Sequence, residues 1–431
     1  LVISGLMTSA YAATIDVTTL VDEDGENSAA CSLREAIKAS ELKLPYGGCT
    51  GGKRFDTDEI QLKAGDYVLT RGELLPKTSL IIRGKSSIDI NLRDGVTGVF
   101  DARVPLSTVI RPTNSRAFNT AIGRTNLTLS ELVIDGGEAV SGSRLQGGAV
   151  LVGANLSLRR TILRNNQATT AGGAIFLEGS QSAFNAEDTA FEGNRADQSA
   201  VLGMTCSDNL KLTSRTIDVQ RSSMVNNGSP TTQTILDFCG IASVKLTNTT
   251  GANNQVSNQP SSATIALLDD EFGTRTALAS SLDLASVTLV GNQGAAALLY
   301  DGRAQLRIVN SIVAYNQNFD CRYLPRDGVR LNDLNGVATR SNLIGGYRVS
   351  PSSDRSITYD QLSDISLSRS CQLPSNIGSV PLIALPQNSP ADTPREIDYS
   401  RVTTAIDATD SNRYTENATQ NAILYPLADY G

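Results

Sequence analysis

The chain contains no histidine. That absence excludes Ser-His-Asp and Cys-His catalysis and removes the commonest transition-metal ligand. There is no tryptophan, and aromatic residues make up only 5%, so any core must be built from aliphatic side chains. Basic charge is also scarce. A net charge of −7 provides no cationic stripe to offset phosphates, which argues against nucleic acid or an anionic membrane surface as a partner. No stretch approaches the roughly 20 consecutive apolar residues of a membrane-spanning helix. The six cysteines form no C-x-x-C pair, and without histidine a zinc site is disfavoured.

What is present points to export and to many short strands. The first residues, Leu1-Val2-Ile3-Ser4-Gly5-Leu6-Met7 followed by Ala10-Tyr11-Ala12, read as the end of a signal-peptide apolar region and its cleavage site, with Ala13 as the mature start. An ordinary buried first strand is the plainer alternative. An even number of cysteines suits an oxidising compartment. Glycine is abundant and asparagine frequent, as expected where turns join many strands.

From about residue 126 an eleven-residue pattern recurs, as Leu127–Gly137, Leu156–Asn166, Phe184–Asn194, Ile217–Asn227, Val244–Asn254, Leu282–Asn292 and Leu306–Asn316. Positions one, three and eight are almost always apolar or small, and position six is mostly Ser or Thr. Positions one and three share one parity and positions six and eight the other. A flat strand alternates faces with period two, so all four point inward only if the backbone bends near positions four and five. Strand, bend, strand is part of one coil of a β-solenoid. The expected fold is therefore all-β, a right-handed parallel β-helix with a short N-terminal capping helix.

Position eleven holds Asn166, Asn194, Asn227, Asn254, Asn292 and Asn316. Stacked strands lie about 4.8 Å apart, close enough for amide side chains to donate to one neighbour and accept from the next. Asparagine also tolerates the left-handed conformation of a sharp turn. The plainer explanation, that asparagine is a common turn residue, accounts less easily for the same column six times. The uneven spacing between these residues implies loops projecting from the turns, the longest at 255–281.

The cysteines fit the same alignment. Cys206 follows Asn194 by twelve residues, and Cys239 follows Asn227 by twelve. Equivalent places on adjacent coils fall within disulfide reach, so Cys206–Cys239 is expected. Cys31–Cys49 follows from proximity, and Cys321–Cys371 from elimination. Ser32 and Glu35 have capping-box spacing, and Leu33, Ala36, Ile37 and Leu42 are read as one apolar helix face that covers the first coil. The expected organisation is a signal-peptide remnant at 1–12, a cap at 13–58, coils at 59–320, and late coils with a loop-rich closure at 321–431.

Cys31-Ser32-Leu33-Arg34-Glu35-Ala36-Ile37 resembles the signature of the secreted β-helix proteins named for their CSLREA motif. Ile60-Gln61-Leu62-Lys63-Ala64-Gly65-Asp66-Tyr67, Gly172-Gly173-Ala174-Ile175 and Ala405-Ile406-Asp407-Ala408 resemble later segments of that family. The stretch from Ala13 to about Tyr67 is most similar to the rhombotarget A group of Acinetobacter-type bacteria. That group carries a C-terminal Gly-Gly, hydrophobic, basic tail, in place of which this sequence has Leu427-Ala428-Asp429-Tyr430-Gly431. The resemblance implies a secreted or surface location and supplies no catalytic set.

One acidic patch is the candidate for chemistry. Asp237, Asp269, Asp270 and Asp301 each follow an apolar run, with Glu271, Arg275 and Arg303 nearby. Close carboxylates need a cation or a proton between them, which makes this a candidate Ca2+ site. The bland alternative is a set of solvated acids ending strands. Two functions are thus expected. The first is a non-catalytic exported scaffold for adhesion or for binding a polysaccharide or protein at the cell surface, monomeric, with no catalytic residue and no cofactor. The rival is a Ca2+-dependent polysaccharide lyase centred on the acids.

Overall fold

The computed structural model describes residues 13–344, apart from 54–56, 86–105, 143, 180, 206–214, 240–241, 269–280, 302–304, 310, 315, 325–336 and 341–342. The protein is mostly β, with every paired strand running parallel to its neighbours. Among the described residues the strands form sheets of nineteen, eight and two strands.

Equivalent strands of successive sequence repeats are hydrogen-bonded neighbours. Leu127, Leu156, Phe184, Ile217, Val244, Leu282 and Leu306 pair in one unbroken register column, and all are buried. The columns reach further than the sequence pattern. Leu80 pairs with Leu127, Ile60 with Ile82, and Ile15 with Ile60. At the other end Leu306 pairs with Val337 and Val313 with Ile344, so an eighth copy occupies a stretch in which the pattern is faint.

The bend falls at position five. Glu131, Arg160, Asp188, Arg221, Asn248 and Ser286 all adopt positive φ, between 45° and 58°. Position six then turns inward. The Thr161, Thr189, Ser222, Thr249 and Ser311 hydroxyls each donate to the backbone carbonyl two residues earlier, which satisfies a polar group that the core would otherwise strand.

The second bend departs from expectation. The left-handed residue is position ten, occupied by Gly136, Asn165, Gly193, Asn226, Asn253 and Gly291, one place before the ladder asparagine. Position eleven is free of that conformation because its side chain is used for stacking instead.

The eight-stranded sheet runs from Phe118–Asn119 through Val150–Val152, Ile175–Leu177, Ser199–Met204, Thr234–Cys239, Ala263–Leu268 and Ala296–Asp301 to Phe319–Leu324. Its strands are entered through a tight turn. Gly172 takes φ +66°, and a Cβ on Gly173 would lie 2.4 Å from the carbonyl oxygens of Ala200 and Arg195. Only glycine permits that approach. One continuous core, from Ile15 to Cys321, lies between the sheets.

The helix α1 (Leu33–Leu42) packs on the strands Thr14–Asp16 and Asp58–Gln61. Its capping box is complete. Glu35 N donates to Ser32 Oγ at 3.2 Å and Ser32 N to the Glu35 carboxylate at 2.9 Å. The buried face is Leu33, Ala36, Ile37 and Ser40 with Ala39. Leu42, expected on that face, is 51% exposed. Nine residues at about 100° each carry it to the opposite side from Leu33. Asp22 ties the helix to the stack. Its carboxylate accepts from Arg34 Nε at 2.8 Å and from the backbone N–H groups of Thr70 and Arg71.

Candidate functional site

A column of buried polar side chains runs through the described residues. Asn166 donates its backbone N–H and its Nδ2 to Oδ1 of Asn194, at 3.1 and 2.9 Å. Asn194 does the same to Asn227, Asn227 to Asn254, Asn254 to Asn292, and Asn292 to Asn316. The second Nδ2 hydrogen of Asn194, Asn227, Asn254, Asn292 and Asn316 goes to a backbone carbonyl near the middle of the preceding copy, such as Leu163 and Phe191. The column starts where Gly137 N donates to Asn166 Oδ1 at 2.8 Å. It ends on Asp320, a buried carboxylate that sequence reasoning missed because it lies four residues past Asn316 on the next strand.

The cysteines are all oxidised among the described residues. Cys31 and Cys49 are bonded, with Cα atoms 4.6 Å apart. Cys239 and Cys321 are each in a disulfide. Their expected partners, Cys206 and Cys371, lie outside the described residues.

Of the four acids of the expected patch, only Asp237 and Asp301 lie among the described residues. Asp237 pairs in register with Ala266, and Ala266 with Leu299. Asp301 is level with Leu268 and Cys239, because Leu267 pairs with Tyr300 and Cys239 with Leu268. The two acids are thus two strands and two residues apart, on the order of 11 Å at ordinary strand spacing. Asp269, Asp270, Glu271, Arg275 and Arg303 lie outside the described residues. Among the described residues no group of three or more acids and cysteines is placed to hold a metal ion. Burial beside apolar neighbours raises the Asp237 carboxyl to about 6.

The charges that do come together lie on the outer corner and face. At position five, Glu131, Arg160, Asp188 and Arg221 alternate in sign from copy to copy. Arg160 pairs with Glu131, and Arg221 Nε with Asp188 at 2.8 Å. At position two, Asp218, Lys245, Asp283 and Arg307 form a second alternating column in register, with Arg307 and Asp283 paired at 2.7 Å. Opposite charges on adjacent strands favour one pairing register over a slipped one. In contrast to these partly or fully exposed bases, Arg215 is 1% exposed. It donates to the carbonyl of Gly179 at 2.9 Å, and burial pulls its guanidinium down to about 10.

No family model, curated protein or solved structure matches this chain. Function must therefore be argued from the surfaces and columns themselves. Among the described residues no helix is long and apolar enough to cross a membrane.

Proposed function

We propose that the protein is an exported, non-catalytic scaffold, a right-handed parallel β-helix that binds a polymeric ligand at the cell surface. The winding is supported by strands that recur in register once per repeat. Right-handed crossover is the strong preference wherever parallel strands of one sheet are connected. Export is supported by the leader-like opening residues and by the oxidised cysteines.

One observation carries the functional reading. Position two of successive copies, Thr128, Ser157, Asn185, Asp218, Lys245, Asp283 and Arg307, forms a register column of polar side chains that are partly or fully exposed. A regular polar face of this length suits an extended partner that touches many repeats at once. Membership in the CSLREA-motif family belongs to the same proposal. The Cys31–Cys49 bond and the Ser32/Glu35 capping box give that motif's residues a structural task at the start of the stack.

The test is incubation with a panel of acidic and neutral polysaccharides, with and without Ca2+, read for retention and for new chain ends. Retention without new ends is expected, weakened by Lys245→Glu and Arg307→Glu for acidic polymers. Calcium-dependent cleavage lost in Asp269→Ala and Asp270→Ala would establish the lyase instead. Failure of every polymer to be retained would remove the scaffold reading.

A further inference from the structure

The charged half of the position-two column has a spacing that specifies more than a polar ligand. Asp218, Lys245, Asp283 and Arg307 pair strand to strand in register, so acid and base alternate along the stack. Lys245 and Arg307 are exposed, and the two acids are partly so. The outward positions on either side, from Thr216 and Gln220 to Gln305 and Val309, are uncharged in all four strands. Charge on this part of the face is therefore confined to one line.

Both bases keep binding capacity. Arg307 meets Asp283 through Nη1 alone, at 2.7 and 2.8 Å, so its Nε and Nη2 stay open to a second carboxylate. Lys245 makes no ion pair among the described residues. Neighbouring strands lie about 4.8 Å apart, close to the advance of one sugar residue along an extended polysaccharide. A chain laid along the column thus meets one strand per residue and a base at every second residue.

We propose that this face selects an alternating copolymer with one uronate per disaccharide. The uronate carboxylates meet Lys245 and Arg307, and the intervening neutral sugars donate hydroxyls to Asp218 and Asp283. Carboxylates accept strongly from such donors. A uronate in the neutral sugar's place would instead face like charge, so a chain charged on every residue meets as much repulsion as attraction. This selection rests on the polymer-binding reading above and adds the charge pattern that the polymer must carry.

The test compares equilibrium binding of the full-length chain to three probes of equal length at low ionic strength. They are hyaluronan, with one carboxylate per disaccharide, polygalacturonate, with one on every residue, and a neutral β-glucan. Hyaluronan is expected to bind at least about tenfold more tightly than either of the others. Asp218→Asn combined with Asp283→Asn should narrow the gap by raising the affinity for polygalacturonate. Lys245→Gln combined with Arg307→Gln should remove the preference for hyaluronan over the glucan. Polygalacturonate binding as tightly as hyaluronan, or an unchanged gap in the Asn variant, would overturn the selection while leaving polymer binding intact. Binding of none of the three would also overturn it, and would remove the polymer-binding reading only if no other polymer is retained. The comparison of probes needs no variant, so it decides the matter even if the substituted chains fail to fold.

Discussion

Asn316 donates both its backbone N–H and its side-chain N–H to Oδ1 of Asp320, at 2.9 and 2.8 Å. The preceding links join one copy to the next, whereas this one joins residues only four apart in the chain. All the ladder amides point their N–H ends toward it, so a carboxylate sits at the positive end of an aligned column of dipoles. Asp320→Ala leaves two buried donors without this acceptor and should cost about 3 kcal/mol. Asp320→Asn keeps an acceptor there and should cost about 1 kcal/mol. Urea denaturation of the two variants checks the difference, and equal losses would contradict it.

A carboxylate in the middle of the ladder should behave differently. Asn227 accepts twice from Asn194 and donates to the Phe191 carbonyl and to Asn254 Oδ1, at 2.9 and 3.0 Å. Asn227→Asp replaces the donor with a buried charge facing two acceptors. A loss of about 4 kcal/mol is expected, larger than for Asp320→Asn. Thermal unfolding measured side by side decides it.

Arg221 combines an ion pair with a strained backbone. It reaches Asp188 and Glu187 while holding φ +45°. Removing the side chain should cost at most about 1 kcal/mol for these partly exposed pairs. The left-handed conformation disfavours alanine relative to glycine by roughly 1 kcal/mol. Arg221→Gly should therefore be more stable than Arg221→Ala in denaturant midpoint, and the reverse order would show that the bend does not restrain this residue.

Asp237 makes a signed prediction about pH. Its ordinary value is 3.8, and burial raises it to about 6 in the fold. Between these values the folded chain keeps a proton that the unfolded chain has released, so stability falls as pH rises through that window. Asp237→Asn should stabilise the protein by on the order of 2 kcal/mol at neutral pH, after allowance for partial exposure, and by little below the window. A stability difference independent of pH would refute the shift.

The inward columns were legible because their signal is local and repeated. Apolar residues at positions one, three and eight, a hydroxyl at six and an amide at eleven carry the same physical demand in each copy. The copies beginning at Leu80 and Val337 carry weaker patterns, because long intervening segments hide their spacing. Asp237 and Asp301 sit at different levels for a related reason. Counting from an apolar run locates a residue along the chain, but its level in a sheet depends on where neighbouring strands begin to pair.

The sequence by itself determined which side chains face inward, where the chain must bend and which asparagines share a column, since each follows from strand periodicity and recurrence. Only the tertiary structure decided that position ten carries the left-handed turn, that Asp320 ends the ladder, that charges alternate up the outer corner and that Asp237 stands apart from Asp301. Those relationships join residues through the stacking direction, where neighbours are separated by loops of variable length and hydrogen bonding between strands, not distance along the chain, sets which atoms meet.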